Sequence, residues 1–126
     1  MSLKVLVVED EGGLMELMQG ILELKCGYET FATGDGEEAV KLYIEHKPDI
    51  CILDIQLDES KLSGIDVLRE VKKIEPKAKC IMMTRITEQD AIKQSKALGA
   101  SAYLLKPLDT MEWIGVVREI AQEGGL

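Results

Sequence analysis

The sequence predicts an α/β fold, a parallel sheet with helices on both faces. Strand-like runs and helix-periodic segments alternate five times along the 126 residues, the signature of consecutive βαβ units. Four of the runs, at 5–8, 50–53, 80–83 and 102–105, are almost wholly apolar, as strands covered on both faces must be. The length suits one domain, 1–126, with a core of its own, and no linker, repeat or low-complexity stretch divides it.

The first strand is read over 4–8. A helix follows over 13–25, with Leu14, Met18, Ile21 and Leu22 on one face, and Gly27 stops it. The second strand is 28–32, followed by a turn at 33–36 and a helix at 37–45 that Pro48 prevents from continuing. The third strand is 49–53. A polar loop at 56–63 leads to a helix carrying Ile65, Leu68, Val71 and Ile74, which ends before Pro76. The fourth strand is 79–83. Its helix starts near Thr87, with Glu88 and Asp90 in the first turn, where acids complement the helix dipole, and Gly99 ends it. The fifth strand is 101–105, and Asp109 is the expected N-cap of a last helix carrying Met111, Ile114, Val117, Ile120 and Ala121. The core is thus expected over about 4–121, with Met1-Ser2-Leu3 read as an expression scar and 122–126 as a tail or the start of a linker.

The formal net charge of −8 argues against nucleic-acid binding by this domain, which would need a basic face. It suits a solvated surface and a local acid cluster that binds a divalent cation. No apolar run approaches the roughly 20 residues of a membrane span. The first apolar stretch is short and leads straight into acids, so no signal peptide is expected. Cys26, Cys51 and Cys80 lack metal-type spacing, and Cys51 and Cys80 are read as small core residues. This usage fits a reducing cytoplasm, the expected location. His46 stands alone, which excludes a histidine metal site or triad, and it is expected exposed at a helix end before Pro48.

The strand ends carry the chemistry. The first strand runs into Glu9-Asp10, the third into Asp54, the fourth into Thr84 and the fifth into Lys106-Pro107. In an open parallel sheet, sites form beyond the carboxyl ends of the strands. Three crowded carboxylates repel one another and favour either a proton or a cation. All-oxygen ligands suit Mg²⁺, or Mn²⁺, better than a soft metal. An aspartate can act as a nucleophile toward phosphorus, and the charge that develops on the phosphoryl oxygens calls for a cation, a hydroxyl and an ammonium. Thr84 and Lys106 supply the last two. Each piece alone is a common turn, cap or loop; the conjunction, in order, is what points to phosphoryl transfer.

Taken together these residues resemble the receiver domain of bacterial two-component response regulators, of the chemotaxis-regulator type. The matching stretches are Val7-Val8-Glu9-Asp10-Glu11, Leu53-Asp54-Ile55-Gln56, Thr84, Tyr103-Leu104-Leu105-Lys106-Pro107 and, displaced, Ser63-Gly64-Ile65-Asp66. The resemblance implies a flavodoxin-like (βα)5 three-layer sandwich with strand order 2-1-3-4-5. It implies that Asp54 is the phosphoacceptor, that Asp10 ligates Mg²⁺ directly and Glu9 through water, and that Gln56 offers its backbone carbonyl. Thr84 would bind the phosphoryl group, Lys106 would pair with it or with Asp54, and Tyr103 would be an aromatic switch. The Lys106-Pro107 bond would be cis. The implied partners are a histidine kinase or phosphotransfer protein and a downstream output domain or target, with a monomer or weak homodimer as the assembly. Such a domain transfers phosphoryl groups to and from itself without being a metabolic enzyme.

Four features depart from that pattern. The acid pair opens with Glu9 rather than aspartate, whose longer arm still reaches a metal-bound water. Gly64 lies ten residues after Asp54 instead of eight, so the loop Asp58-Glu59-Ser60-Lys61-Leu62 is about two residues longer, and we expect it to tune partner choice. Arg85 follows the threonine where a small residue is usual, and either covers the site, binds phosphate oxygens or swings into solvent. Ile86 stands where quickly dephosphorylating receivers place a polar residue, so a long-lived phosphoryl group is expected.

Two other classes fit the residues less well. A receiver-like module acting through protein contacts without phosphorylation would lack the need for this full residue set. A flavodoxin needs a glycine- and hydroxyl-rich phosphate cradle after the first strand, where this chain has Glu9-Asp10-Glu11. A dehalogenase-type phosphatase needs its nucleophile there and a second aspartate two residues on, which is also not the pattern.

Overall fold

The computed structural model describes residues 2–58, 60–85, 87 and 89–123. Strands β1 (Lys4–Val8), β2 (Glu29–Thr33), β3 (Ile50–Asp54), β4 (Lys79–Thr84) and β5 (Ala102–Leu105) alternate with helices α1 (Gly12–Cys26), α2 (Gly36–His46), α3 (Gly64–Ile74), α4 (Gln89–Ala97) and α5 (Thr110–Glu123). The strands form one parallel sheet of order β2-β1-β3-β4-β5, as the resemblance implied.

The alternation of side chains along a strand assigns each helix to a face. Val5, Val7, Ile50, Ile52, Ile81, Met83 and Leu104 meet Met18 and Leu22 of α1 and the apolar stripe of α5. Leu6, Val8, Cys51, Leu53, Cys80 and Met82 meet α2 and α3, with Ala91 and Ile92 of α4 packed against them. Strand β3 is buried at every position, consistent with its central place. Burying each large aliphatic side chain contributes about 1.5–3 kcal/mol, so these two layers are the main source of stability. Cys51 and Cys80 are buried and face one another across β3 and β4, in keeping with their reading as core residues.

The ends of the elements have local causes. Gly27 adopts φ 70° and caps α1. Lys47 takes a left-handed φ of 48° to close α2 ahead of Pro48. Asp35 caps the start of α2 by accepting the Glu38 N–H at 2.9 Å. Ser63 and Asp66 form a reciprocal capping box at the start of α3. Asp109 accepts the Glu112 N–H at 3.0 Å, as expected of an N-cap.

Several details correct the sequence reading. Strand β2 starts and ends one residue later than expected, running through Thr33, and α2 begins at Gly36 inside the expected turn. Strands β3 and β5 start one residue later than expected, at Ile50 and Ala102, and β3 and β4 each end one residue further on, because Asp54 pairs in the ladder with Met83 and Thr84 with Leu105. Helix α4 is described from Gln89, Thr87 lies in a turn before it, and Glu88, expected in its first turn, lies outside the described residues. His46 is half-buried rather than exposed, its ring stacked on Phe31 with centroids 3.9 Å apart and planes 17° from parallel.

Candidate functional site

Strands β1 and β3 lie side by side at the centre of the sheet, so Glu9, Asp10 and Asp54 leave it together. One ligand oxygen from each carboxylate lies within 4.8 Å of the others. Glu9 and Asp54 are 1% and 5% exposed, while Asp10 faces solvent. Two buried acids beside a third call for a cation on physical grounds. Lys106 supplies one. Its ammonium donates to Glu9 Oε1 at 2.6 Å and to Asp54 Oδ2 at 2.8 Å, reaching across the end of β4 from the edge strand. The Lys106 N–H also donates to the Thr84 carbonyl at 2.8 Å, and Lys106-Pro107 is a cis peptide bond.

The charges bias one another. Burial raises the Glu9 carboxyl above its ordinary value, the Lys106 contact pulls it back, and Asp54 raises it again. Burial alone would lower Lys106, but the contacts to Asp54 and Glu9 outweigh it and hold its ammonium above the usual value. One lysine therefore stays charged between two acids that it does not fully compensate.

Backbone groups fix one more oxygen of each acid. Glu9 Oε2 accepts the Glu11 N–H at 3.2 Å and Asp54 Oδ1 accepts the Gln56 N–H at 3.3 Å. Asp10 Oδ2 accepts the Asp58 N–H at 2.8 Å, so the lengthened loop itself grips the exposed acid. Ser60 ties the same loop to α2: its Oγ accepts the Gly36 N–H at 2.8 Å and donates to the Leu62 carbonyl at 2.7 Å. Gly64 is demanded by sterics, since a Cβ there would lie 1.8 Å from the Asp54 carbonyl oxygen. Gly34 packs on Asp10 in the same way, its Cβ position 3.0 Å from the Asp10 Cα.

These residues surround an open cavity of about 790 Å³, lined among others by Gln56, Asp58, Arg85 and Lys106. Arg85 is exposed at its edge, with its carbonyl accepting from Thr84 Oγ1 at 3.1 Å. Thr84 is 3% exposed at the end of β4. Tyr103 is half-buried on β5. Ile86, expected to influence phosphoryl lifetime, lies outside the described residues. The sequence reading missed the grip of Asp58 and Ser60, which no motif announces. It also missed the capping box, whose Ser63-x-x-Asp66 spacing does resemble a known signal.

The fold and this acid–lysine constellation define a class, and comparison with known proteins agrees. The chain belongs to the response regulator receiver domain family, whose model matches residues 5–118. Domains of this family are the signalling switches of two-component systems. The chain is 34% identical to the sporulation initiation phosphotransferase F of Bacillus subtilis over 89% of its own length and 88% of that protein's. It is 31% identical to the chemotaxis protein CheY of Thermotoga maritima over 97% of this chain and 100% of that one. Among solved structures, the receiver domain of NtrX from Brucella abortus matches with a TM-score of 0.86 at 29% identity, over 94% of this chain and 98% of that domain. In the whole NtrX chain the same match spans 28% of the length, and in the transcriptional regulatory protein PhoP of Bacillus subtilis it spans 45%. No helix among the described residues is long and apolar enough to cross a membrane.

Proposed function

We propose that this chain is a phosphoacceptor switch in which Asp54 takes a phosphoryl group from a histidine kinase or a phosphotransfer protein. The observation that carries the reading is Lys106 bridging Glu9 and Asp54 beside the exposed Asp10, because it gathers nucleophile, counter-charge and cation-binding acids at one point.

The donor set is all oxygen and strongly anionic, which fits a hard divalent cation. Asp10 and Asp54 would hold Mg²⁺ directly, Glu9 through water and Gln56 by its backbone carbonyl; Mn²⁺ suits the same set. When bound, the ion supplies neutralising charge against the phosphoryl oxygens. An Asp54 carboxylate oxygen forms the new P–O bond as the donor's P–N bond breaks, and the leaving imidazole nitrogen keeps the electron pair. Lys106 moves from Asp54 to the phosphoryl oxygens as their charge grows. The Thr84 hydroxyl turns from the Arg85 carbonyl to the same group. Tyr103 follows, and the surface of α4, β5 and α5 carries the change to the output partner. Arg85, at the cavity edge, limits access by small donors.

Sodium borohydride reduces an aspartyl phosphate to homoserine. After incubation with acetyl phosphate and Mg²⁺, peptide mapping should find homoserine at position 54. Homoserine at another position, or none at position 54 in both wild type and Arg85→Ala, would overturn the assignment.

A further inference from the structure

Helix α4 has one fully buried side chain among its described residues, and it is polar: Ser95. Its Oγ lies 2.9 Å from the Ile92 carbonyl and 3.0 Å from the Tyr103 hydroxyl. Lys96, the next residue, sets its ammonium 5.7 Å from the centroid of the Tyr103 ring. Tyr103 is therefore held at its tip and over its face by adjacent residues of one helical turn.

The protons of this contact can be assigned. A hydroxyl carries one proton and accepts on its lone pairs, whereas a carbonyl only accepts. Ser95 gives its proton to Ile92, which leaves the Tyr103 hydroxyl as donor to Ser95 Oγ. The chain Tyr103 to Ser95 to Ile92 then polarises in one direction, and each bond strengthens the next. The contact is also unequal. Without the Tyr103 hydroxyl, Ser95 keeps its bond to Ile92. Without Ser95, the Tyr103 hydroxyl has lost its acceptor on α4 and gains by turning to water.

We propose that Ser95 is the positioning residue that holds Tyr103 inward and ties its rotation to the last turn of α4. The proposal rests on the reading of Tyr103 as the switch. Inward Tyr103 keeps α4 seated on the sheet through Ser95; outward rotation frees both the ring and the helix end. The helix is suited to this role because Ala91 and Ile92 are only partly buried, so little apolar packing competes with the hydroxyl contact.

The test is ¹⁹F NMR of protein labelled with 3-fluorotyrosine. The three tyrosines give three resonances, and Tyr103→Phe assigns the one of interest. Ser95→Ala should move the Tyr103 resonance toward the solvent-exposed position in the metal-free protein, shifting the inward-to-outward ratio by about tenfold. Ser95→Thr, which keeps the hydroxyl, should restore much of the inward signal. Tyr103→Phe should leave the melting temperature close to wild type. An unchanged Tyr103 resonance in Ser95→Ala overturns the proposal. Addition of Mg²⁺ and beryllium fluoride, a phosphoryl mimic, separates the two readings. If the wild-type Tyr103 resonance does not respond to the mimic, the switch reading fails. If it responds identically in wild type and Ser95→Ala, the Ser95 role alone fails.

Discussion

Glu9 shows how a single residue tunes the site. Its carboxyl is almost fully buried beside Asp54, and the lysine between them serves both. A carboxyl raised in the fold contributes stability when protonated, below its unfolded value of about 4.5, and loses that contribution as pH rises through its folded value. Ionised Glu9 is thus a cost at neutral pH in the absence of metal. Glu9→Gln should stabilise the metal-free protein at pH 7 by on the order of 1 kcal/mol, with the difference fading toward pH 4.5, as thermal melts across pH would show. The same substitution should weaken Mg²⁺ binding by about tenfold, since it weakens an acid that orders metal-bound water. Lys106 has the opposite sign. Its raised ammonium contributes stability that is complete below about 10.5 and lost only as pH climbs through a higher folded value. A gain in affinity on Glu9→Gln would show that Glu9 does not face the ion.

At the scale of elements, the connections from β3 to α3 and from β2 to α2 fix the acids. Gly64→Ala would drive a methyl into the backbone of Asp54 and Ile55, which is not the flexible end of a side chain and cannot swing away. We expect a loss of about 3 kcal/mol or more in denaturant unfolding, or no folded protein. Ser60→Ala removes the tie between the long loop and α2, and should cost about 1 kcal/mol, or roughly 4 °C in melting temperature. Because the loop grips Asp10 through Asp58, deleting two of its residues should change phosphoryl transfer from the cognate kinase; unchanged transfer would count against a role in partner choice. The strands were legible because buried parallel strands read as apolar runs, and Gly27, Pro48 and Asp109 marked ends by their backbone chemistry. Asp54 and Thr84 were read as lying just past their strands because polarity signals a strand's end, whereas the ladder continues through them. Helix α4 was the least legible helix, since its buried residue is a serine and its apolar periodicity is weak. The grip of Asp58 on Asp10 joins residues 48 apart, beyond any local signal.

At the scale of the whole molecule, the order β2-β1-β3-β4-β5 places the acid-bearing strands at the centre and Lys106 at an edge. The two apolar layers hold these strand ends in place while the polar loops above them remain open to a donor. A ligand that binds only the folded form stabilises it by mass action, by about 2.7 kcal/mol at a hundredfold excess over its Kd. Mg²⁺ with beryllium fluoride should therefore raise the melting temperature by several degrees, and Asp54→Asn should remove the rise. The central claim is that Asp54 accepts a phosphoryl group with the help of a cation held by its neighbours. It is tested most directly by intact-protein mass after incubation with acetyl phosphate, with and without Mg²⁺, for wild type and Asp54→Asn. Wild type with Mg²⁺ should gain one phosphoryl group, and the other three samples none. Addition to Asp54→Asn, or equal addition without Mg²⁺, would contradict it.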